Sequence, residues 1–388
     1  MSGFQRDANL RQFATERQWE ILEAYSTEGT TRAAAEKLGV HQAVVGRVVK
    51  AVKKKAALAG YSPQHDMTHP APDGFSVKGV STYYSEGAVV GQWVKTSADK
   101  ERQEALLRAA MEGLAEQLPK AKPTKPPERT TSSTMACYPI GDHHLGMYAW
   151  HEEAGENYDL SIGEKLLSGA FDHLVGATPA CDKATIVSLG DFLHYDSMEP
   201  VTPTAKNSLD SDGRFSEMVR VAFRSIRYAI DRALKKHKTV HVIIEIGNHD
   251  LAVSVCLMEA LSCIFDNEPR VTVDTSPRHF HYFDFGKTLV GVHHGHGPKL
   301  DQLPLIMATD QPKKWGGAEH RYWWTGHIHK QTVLDIQGCR VESFRTLPPN
   351  DAWAANNGYR GSRNMTAIVL HEKYGEVARH VVNPDMIK

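Results

Sequence analysis

The chain has no long apolar run. Nowhere in its 388 residues does a stretch reach the length a membrane-spanning helix needs, roughly 18 or more apolar residues in succession. The segment from Met1 to Asp7 carries no apolar signal core. These two absences predict an intracellular, cytoplasmic protein without a membrane partner. Cysteine is scarce. The five residues Cys137, Cys181, Cys256, Cys263 and Cys339 form no C-x-x-C pair, and their number is odd. That pattern excludes a disulfide framework and a zinc knuckle. Net charge is nearly absent as well: 45 Lys and Arg stand against 46 Asp and Glu, giving −1. The overall balance therefore names no partner, and 23% charged with 41% hydrophobic residues is ordinary for a globular protein.

Histidine is what the chain has in quantity. There are 21, and sixteen of them fall between His143 and His329. Histidine is the commonest metal-ligand side chain and an acid–base group near neutrality, so the crowding directs attention to that segment. The length is long for one domain and comfortable for two, and three parts are legible: residues 14–61, helical; 62–134, mixed; and 135–388, alternating strands and helices.

In the first part Thr15 is placed to cap a helix bearing Trp19, Ile21 and Leu22. A second helix runs over residues 31–38, Gly39 is a left-handed cap, and a third starts near His41. Small Ala34 and Ala35 allow the second and third helices to approach closely. The pattern resembles a helix-turn-helix nucleic-acid-binding unit. Residues 41–62 contain five Lys or Arg and no acid. Gln42 and Arg47 are candidates for base edges, and Lys50, Lys53 and Lys54 for phosphates, with DNA favoured over RNA. In the second part, residues 75–80 and 89–95 read as short strands, 98–118 as an amphipathic helix, and 119–134, rich in Pro and Lys, as a flexible linker. His65 and His69 read as surface residues.

From residue 135 five segments repeat one design, an apolar strand-like run ending in metal-binding or acid residues. Residues 136–140 lead into Gly141, Asp142, His143 and His144, and 184–189 into Gly190, Asp191 and, three residues on, His194. Residues 240–246 lead into Gly247, Asn248, His249 and Asp250. Residues 289–292 lead into His293, His294, Gly295 and His296, and 321–324 into Gly326, His327 and His329. Polar residues at the carboxyl ends of strands are where open α/β folds place their sites. Any one of these pieces arises often by chance; the ordered set does not.

That ordered set resembles the calcineurin-like metallophosphoesterase superfamily, its Gly-Asp-x-x-His and Gly-Asn-His-Asp forms being most similar to the SbcD-type nuclease branch. The resemblance covers roughly residues 135–388 and implies a β-sandwich flanked by helices, preceded here by the helix-turn-helix domain. It implies that Asp142, His144 and His329 bind one metal, that Asn248, His294 and His327 bind a second, and that Asp191 bridges them. His294 is the ligand on the fourth strand because it directly precedes a glycine, and alternation turns His293 and His143 away. His249 resembles the family's acid, with Asp250 fixing its orientation, and His194 is a second catalytic candidate. The mixed N and O ligands suit Mn²⁺, the metal favoured in the nuclease branch, with Fe²⁺ and Zn²⁺ as alternatives.

The expected function is a two-metal phosphodiesterase acting on nucleic acid. The alternative is a phosphoesterase for small or cyclic nucleotides or phosphoproteins. The whole architecture also resembles phage-encoded enzymes. Residues 195–212, with Lys206 and the nearby Arg214, read as a substrate loop. Residues 351–363, with aromatics and two arginines, read either as a substrate contact or as a packed loop. Residues 366–371 and 376–382 read as a strand pair closing the second sheet.

Overall fold

The computed structural model describes residues 7–63, 67, 75–85, 88–98, 119–203 and 207–387. His65, His69, Lys206 and most of the helix expected over 98–118 lie outside them. The chain divides into two compact units, Met1–Arg108 and Ala109–Lys388.

The first unit opens with a 3₁₀ turn, Ala8–Phe13, and three helices, α1 (Glu16–Glu28), α2 (Thr31–Leu38) and α3 (Gln42–Leu58). Each boundary has a local cause. Thr15 and Gln18 exchange a capping box at the start of α1, Thr30 caps α2, and Gly29 and Gly39 end the first two helices in left-handed conformations. Ile21, Ala24, Ala34, Ala35 and Val45 form one core, in which the two alanines admit close helix approach. Leu10 and Phe13, ahead of the segment read as helical, are buried with Leu22, Val52 and Tyr61 in another. A hairpin follows, β1 (Phe75–Ser85) paired antiparallel with β2 (Ala88–Ala98), longer than the short strands expected.

The second unit contains, in chain order, β3 (Thr131–Ile140), β4 (Cys181–Ser188), β5 (Thr239–Ile244), β6 (Val271–Val273), β7 (His281–Phe285), β8 (Thr288–Val292), β9 (His320–Thr325), β10 (Thr332–Ile336), β11 (Cys339–Ser343), β12 (Met365–His371) and β13 (Gly375–Val382). Its helices are α4 (His151–Ala154), α5 (Leu160–Ala177), α6 (Phe215–Leu234), α7 (Leu251–Ile264), α8 (Leu303–Asp310), α9 (Pro312–Gly317) and α10 (Ala352–Asn356). One sheet has the order β13-β12-β3-β4-β5-β6 and the other β10-β11-β9-β8-β7. Strand alternation divides the side chains. Tyr138, Ile140, Ile186, Val240, Val242 and Ile244 face the helices α5, α6 and α7. Cys137, Val187, Ile243, Ile368 and Leu370 turn the other way and meet Phe283, Val290, Val292 and Trp324 of the second sheet. Leu289, Trp323 and Val341 then pack outward against Leu303 and Met307 of α8. The result is helices, sheet, sheet, helix: a sandwich flanked by helices.

Two expectations are corrected. The terminal strands join the first sheet, not the second, because β12 pairs antiparallel with β3 and β13 with β12. The segment read as a flexible linker is fixed along unit two: Ala121 N–H donates to Ile264 O at 2.8 Å. Thr124 gives both its N–H and its hydroxyl to Glu268, at 2.7 and 2.6 Å. Arg270 donates to Thr124 Oγ1 and Lys125 O as well as to the carbonyls of Leu234, His237 and Lys238 between α6 and β5. Proline and lysine content suggested mobility, but the backbone groups of Pro119, Ala121, Thr124 and Lys125 have partners in this unit.

Candidate metal centre

The strands β3, β4 and β5 are parallel neighbours, and so are β8 and β9 in the facing sheet. Parallel neighbours end at the same edge, so the five motif loops meet there. Backbone bonds lock them together: His144 N–H donates to Asp191 O at 3.0 Å, Leu189 N–H to Ile140 O at 2.9 Å, and Gly326 N–H to His294 O at 2.8 Å.

The side chains converge in three overlapping sets, each with its candidate ligand atoms within 4.8 Å of one another: Asp142, His144 and His329; Asp191, His294 and His327; and His144, His194 and His249. His329 Nε2 lies 2.9 Å from Asp142 Oδ2 and 3.1 Å from His144 Nε2. His294 Nε2 lies 3.1 Å from Asp191 Oδ2 and 3.0 Å from Asn248 Oδ1, which brings Asn248 into the second set. His194 Nδ1 faces His144 Nδ1 at 3.3 Å. Ring nitrogens, carboxylate oxygens and an amide oxygen thus converge on one space, the kind of donor set that a shared cation takes. Their N and O donor set fits Mn²⁺, Fe²⁺ or Zn²⁺.

Backbone strain is concentrated in the same place. Among the described residues, non-glycine positions with positive φ are His144 (44°), Asp191 (48°), His327 (69°), His329 (53°) and Gln337 (46°). All but the last belong to the cluster, and such conformations persist only where surrounding contacts hold them. The floor, Asp142, Asp191 and His294, is buried, while His327 and His329 are exposed and Asn248 and His249 half-buried. The cluster is thus fixed from below and open above.

Its electrostatics follow from the buried carboxylates. Burial works to lower the His294 pKa, but Asp191 and Asp142 outweigh it and hold the imidazole up at about 10. Burial raises Asp191, yet His294 and His144 bring it well below the usual carboxylate range. His144 is pushed well below its ordinary value by burial and then by His249 and His329, and His194 down to about 3 by burial and His249. Such a floor attracts positive charge.

The surroundings differ from sequence expectation in one respect. Asp250 does not orient His249. Its carboxylate accepts from Leu193 N–H and Gly247 N–H, each at 3.0 Å, clamping two motif loops. The His249 Nδ1 instead donates to His194 O at 2.8 Å, and its own N–H to Asp191 Oδ1 at 2.8 Å. His143 points away, donating from Nε2 to Gly163 O at 3.1 Å, and His293 stacks on Phe280 with ring centroids 4.7 Å apart. His296 stays beside the cluster, its ring centroid 5.2 Å from that of His294. Reading by motif overlooked Glu245. It is buried behind His294, accepts the His294 N–H at 3.3 Å and pairs with His281 at 3.2 Å. A lone acid inside an apolar strand was the available signal.

The other candidates lie in the first unit. Arg47, Lys50 and Lys54 are exposed on α3 at spacings of one helical turn, which puts them on one face. Lys53 is half-buried, off that face. Gln42 gives its amide to Thr31 Oγ1 at 2.9 Å and Arg47 its Nε–H to Ala43 O at 3.3 Å.

No protein-family model matches this chain, and no curated protein matches it. Among solved structures, the chain is similar to a dimetal phosphatase from Danio rerio, at 10% identity over 64% of this chain and 98% of that one, TM-score 0.34. It is similar to an archaeal phosphodiesterase at 14% identity over 64% and 99%, TM-score 0.31. It is also similar to a Streptococcus pneumoniae protein described as a predicted phosphoesterase, at 11% identity over 66% and 92%, TM-score 0.29. Among the described residues, no helix is long and apolar enough to cross a membrane.

Proposed function

We propose that the second unit is a dinuclear metallophosphoesterase of the calcineurin-like type that hydrolyses phosphodiester bonds in nucleic acid, and that the N-terminal helices act as a helix-turn-helix that engages the polymer. The observation that carries the hydrolase reading is the convergence of Asp142, His144 and His329 with Asp191, His294, His327 and Asn248 at one sheet edge. The first three would hold one ion, the last three another, with Asp191 between the sets; Mn²⁺ is the favoured ion. Two divalent ions bound there supply positive charge against an anionic diester and lower the pKa of water at neutral pH.

The chain's own groups do the rest. His294 commits its Nδ1–H to Leu189 O at 2.8 Å, which leaves Nε2 as the atom aimed at Asp191 and Asn248. The Asp250 carboxylate holds the loops after β4 and β5 in register. His249 has its Nδ1–H fixed by the His194 carbonyl, so in the doubly protonated ring the Nε2–H is the one left to pass to the departing oxygen, returning the imidazole to neutral. His194, packed beside it with ring centroids 5.6 Å apart, keeps it in place. The polymer reading is supported by the acid-free stripe of Arg47, Lys50 and Lys54, which suits a phosphate backbone.

The test is a cleavage panel with Mn²⁺, Fe²⁺ or Zn²⁺ added: single-stranded DNA, duplex DNA, RNA, cyclic dinucleotides and a chromogenic diester, each against Asn248→Ala. The expected outcome is metal-dependent polymer cleavage, reduced by about 100-fold or more in the variant. Turnover of the cyclic dinucleotides without cleavage of any polymer would reject the nuclease reading in favour of a small-nucleotide phosphoesterase. Absence of all turnover would reject the hydrolase.

A further inference from the structure

Two segments leave the metal loops and carry large aromatic side chains into solvent. The first continues from His144: Tyr148 is 45% exposed and Trp150 50%. It is held in place by Tyr148 N–H to Asp210 O at 3.1 Å and Ala149 N–H to Tyr158 O at 2.9 Å. The second follows β11: Trp353 is 65% exposed and Tyr359 57%. It too is anchored at the cluster. The Arg345 carbonyl lies so close to Gly141, the residue before Asp142, that a Cβ there would meet it at 2.2 Å. Farther along, Gly361 passes the His329 carbonyl, 3.6 Å from where its own Cβ would sit. The two segments meet where α10 packs on α4, and Arg363 is ion-paired with Glu156 across them.

Single exposed aromatics are unremarkable, but several on two segments that meet beside a candidate site form a patch. This one is flat. The Trp353 and Tyr359 rings lie within 25° of parallel, with centroids 5.8 Å apart. Flat π faces with polar edges suit stacking on nucleobases. A cation accompanies them. Arg360 gives its bonds to the carbonyls of Ala355 and Tyr359, which leaves its charge uncompensated. Most acids nearby are engaged: Asp351 caps α10, Glu152 pairs with His151, and Glu156 with Arg363. Aromatic faces interleaved with free guanidinium charge match a strand whose bases are open and whose backbone is anionic. In a duplex those base faces are already stacked and out of reach.

We propose that Tyr148, Trp150, Trp353 and Tyr359 form a stacking platform for unpaired bases, so that the polymer delivered to the metal cluster is a single-stranded nucleic acid. This rests on the nuclease reading above. The experiment uses the full chain with Mn²⁺ and three substrates: a short single-stranded oligonucleotide in DNA and RNA form, the matching duplex, and a chromogenic diester. It compares Trp353→Ala, Tyr359→Ala and Trp353→Phe with the parent chain. The single strand is expected to be cut faster than the duplex. Each alanine variant is expected to lower the ratio of single-strand kcat/KM to diester kcat/KM by about 5- to 150-fold, the range for one lost base stack, mainly through KM. Trp353→Phe restores most of the ratio, which a general loss of folding would not allow. Equal cleavage of duplex and single strand, or an unchanged ratio in both alanine variants, overturns the platform while leaving the nuclease intact. Diester hydrolysis with no polymer cleavage overturns both.

Discussion

At the scale of single residues, the candidate centre depends on atoms that are missing. A Cβ on Gly247 would lie 2.0 Å from Asp191 Oδ1 and 2.1 Å from the Asp191 nitrogen, and one on Gly326 would lie 2.1 Å from Asp142 Oδ1. Neither neighbour can yield cheaply. Asp191 sits at φ 48° and its Oδ1 holds the His249 N–H at 2.8 Å, while Asp142 accepts the His327 N–H through both oxygens, at 3.0 and 2.9 Å. Gly247→Ala and Gly326→Ala are therefore expected to displace a carboxylate without unfolding the sandwich. A shift near 1 Å in a positioned group costs about 100-fold in rate. The expected outcome is loss of activity of that order, with fewer than two ions bound in metal analysis and an unchanged far-ultraviolet circular dichroism spectrum. Two bound ions and full activity in either variant would mean that the carboxylate it crowds is not a ligand.

At the scale of elements, a buried ion pair between His281 and Glu245 joins the two sheets. His281 on β7 lies 3.2 Å from Glu245, just past β5, and 2.9 Å from Asp274, with its side chain 1% exposed. Burial works to lower its pKa, but Asp274 and Glu245 prevail and hold it up at about 9, against an ordinary 6.5. A raised imidazole pKa means that the folded state binds the proton more tightly than the unfolded one. The stabilisation is therefore complete below about pH 6.5 and is lost as pH rises through 9. Its size is on the order of 3 kcal/mol. The thermal midpoint of the parent chain relative to His281→Gln should fall between pH 6.5 and pH 9; a constant difference would count against the pair. This contact also shows what the sequence conceals. The strand ends announce themselves, because only a few residue types ligate metals and their spacing follows the strands. Glu245 looks like any acid in an apolar run, since its partner is on another sheet. Asp250 sits beside His249 in sequence yet spends its oxygens on Leu193 and Gly247. The sheet joined by β12, and the fixing of residues 119–130 by Glu268 and Arg270, likewise depend on contacts more than 100 residues apart, which no local pattern carries.

At the scale of the whole molecule, the proposed chemistry and the basic stripe proposed to hold the phosphate backbone belong to different units of one chain. The metal cluster is in Ala109–Lys388, and the basic stripe of Arg47, Lys50 and Lys54 is in Met1–Arg108. Tethering a binding module to a hydrolytic one raises the local concentration of polymer without altering the reaction itself. The two contributions can be separated by salt. Each phosphate neutralised by a cation releases counterions and adds about −0.9 to the slope of log affinity against log salt on duplex DNA, or about −0.7 on a single strand. Replacing Arg47, Lys50 and Lys54 together by alanine should flatten the salt dependence of polymer kcat/KM by about 2–3 in that slope. A small chromogenic diester spans no such stripe, so its hydrolysis should change little with salt in either protein. The measurement is cleavage at limiting substrate across a series of salt concentrations, with parent and triple variant side by side. If their slopes coincide, α3 is not the polymer contact, and the N-terminal helices serve some purpose other than nucleic-acid capture.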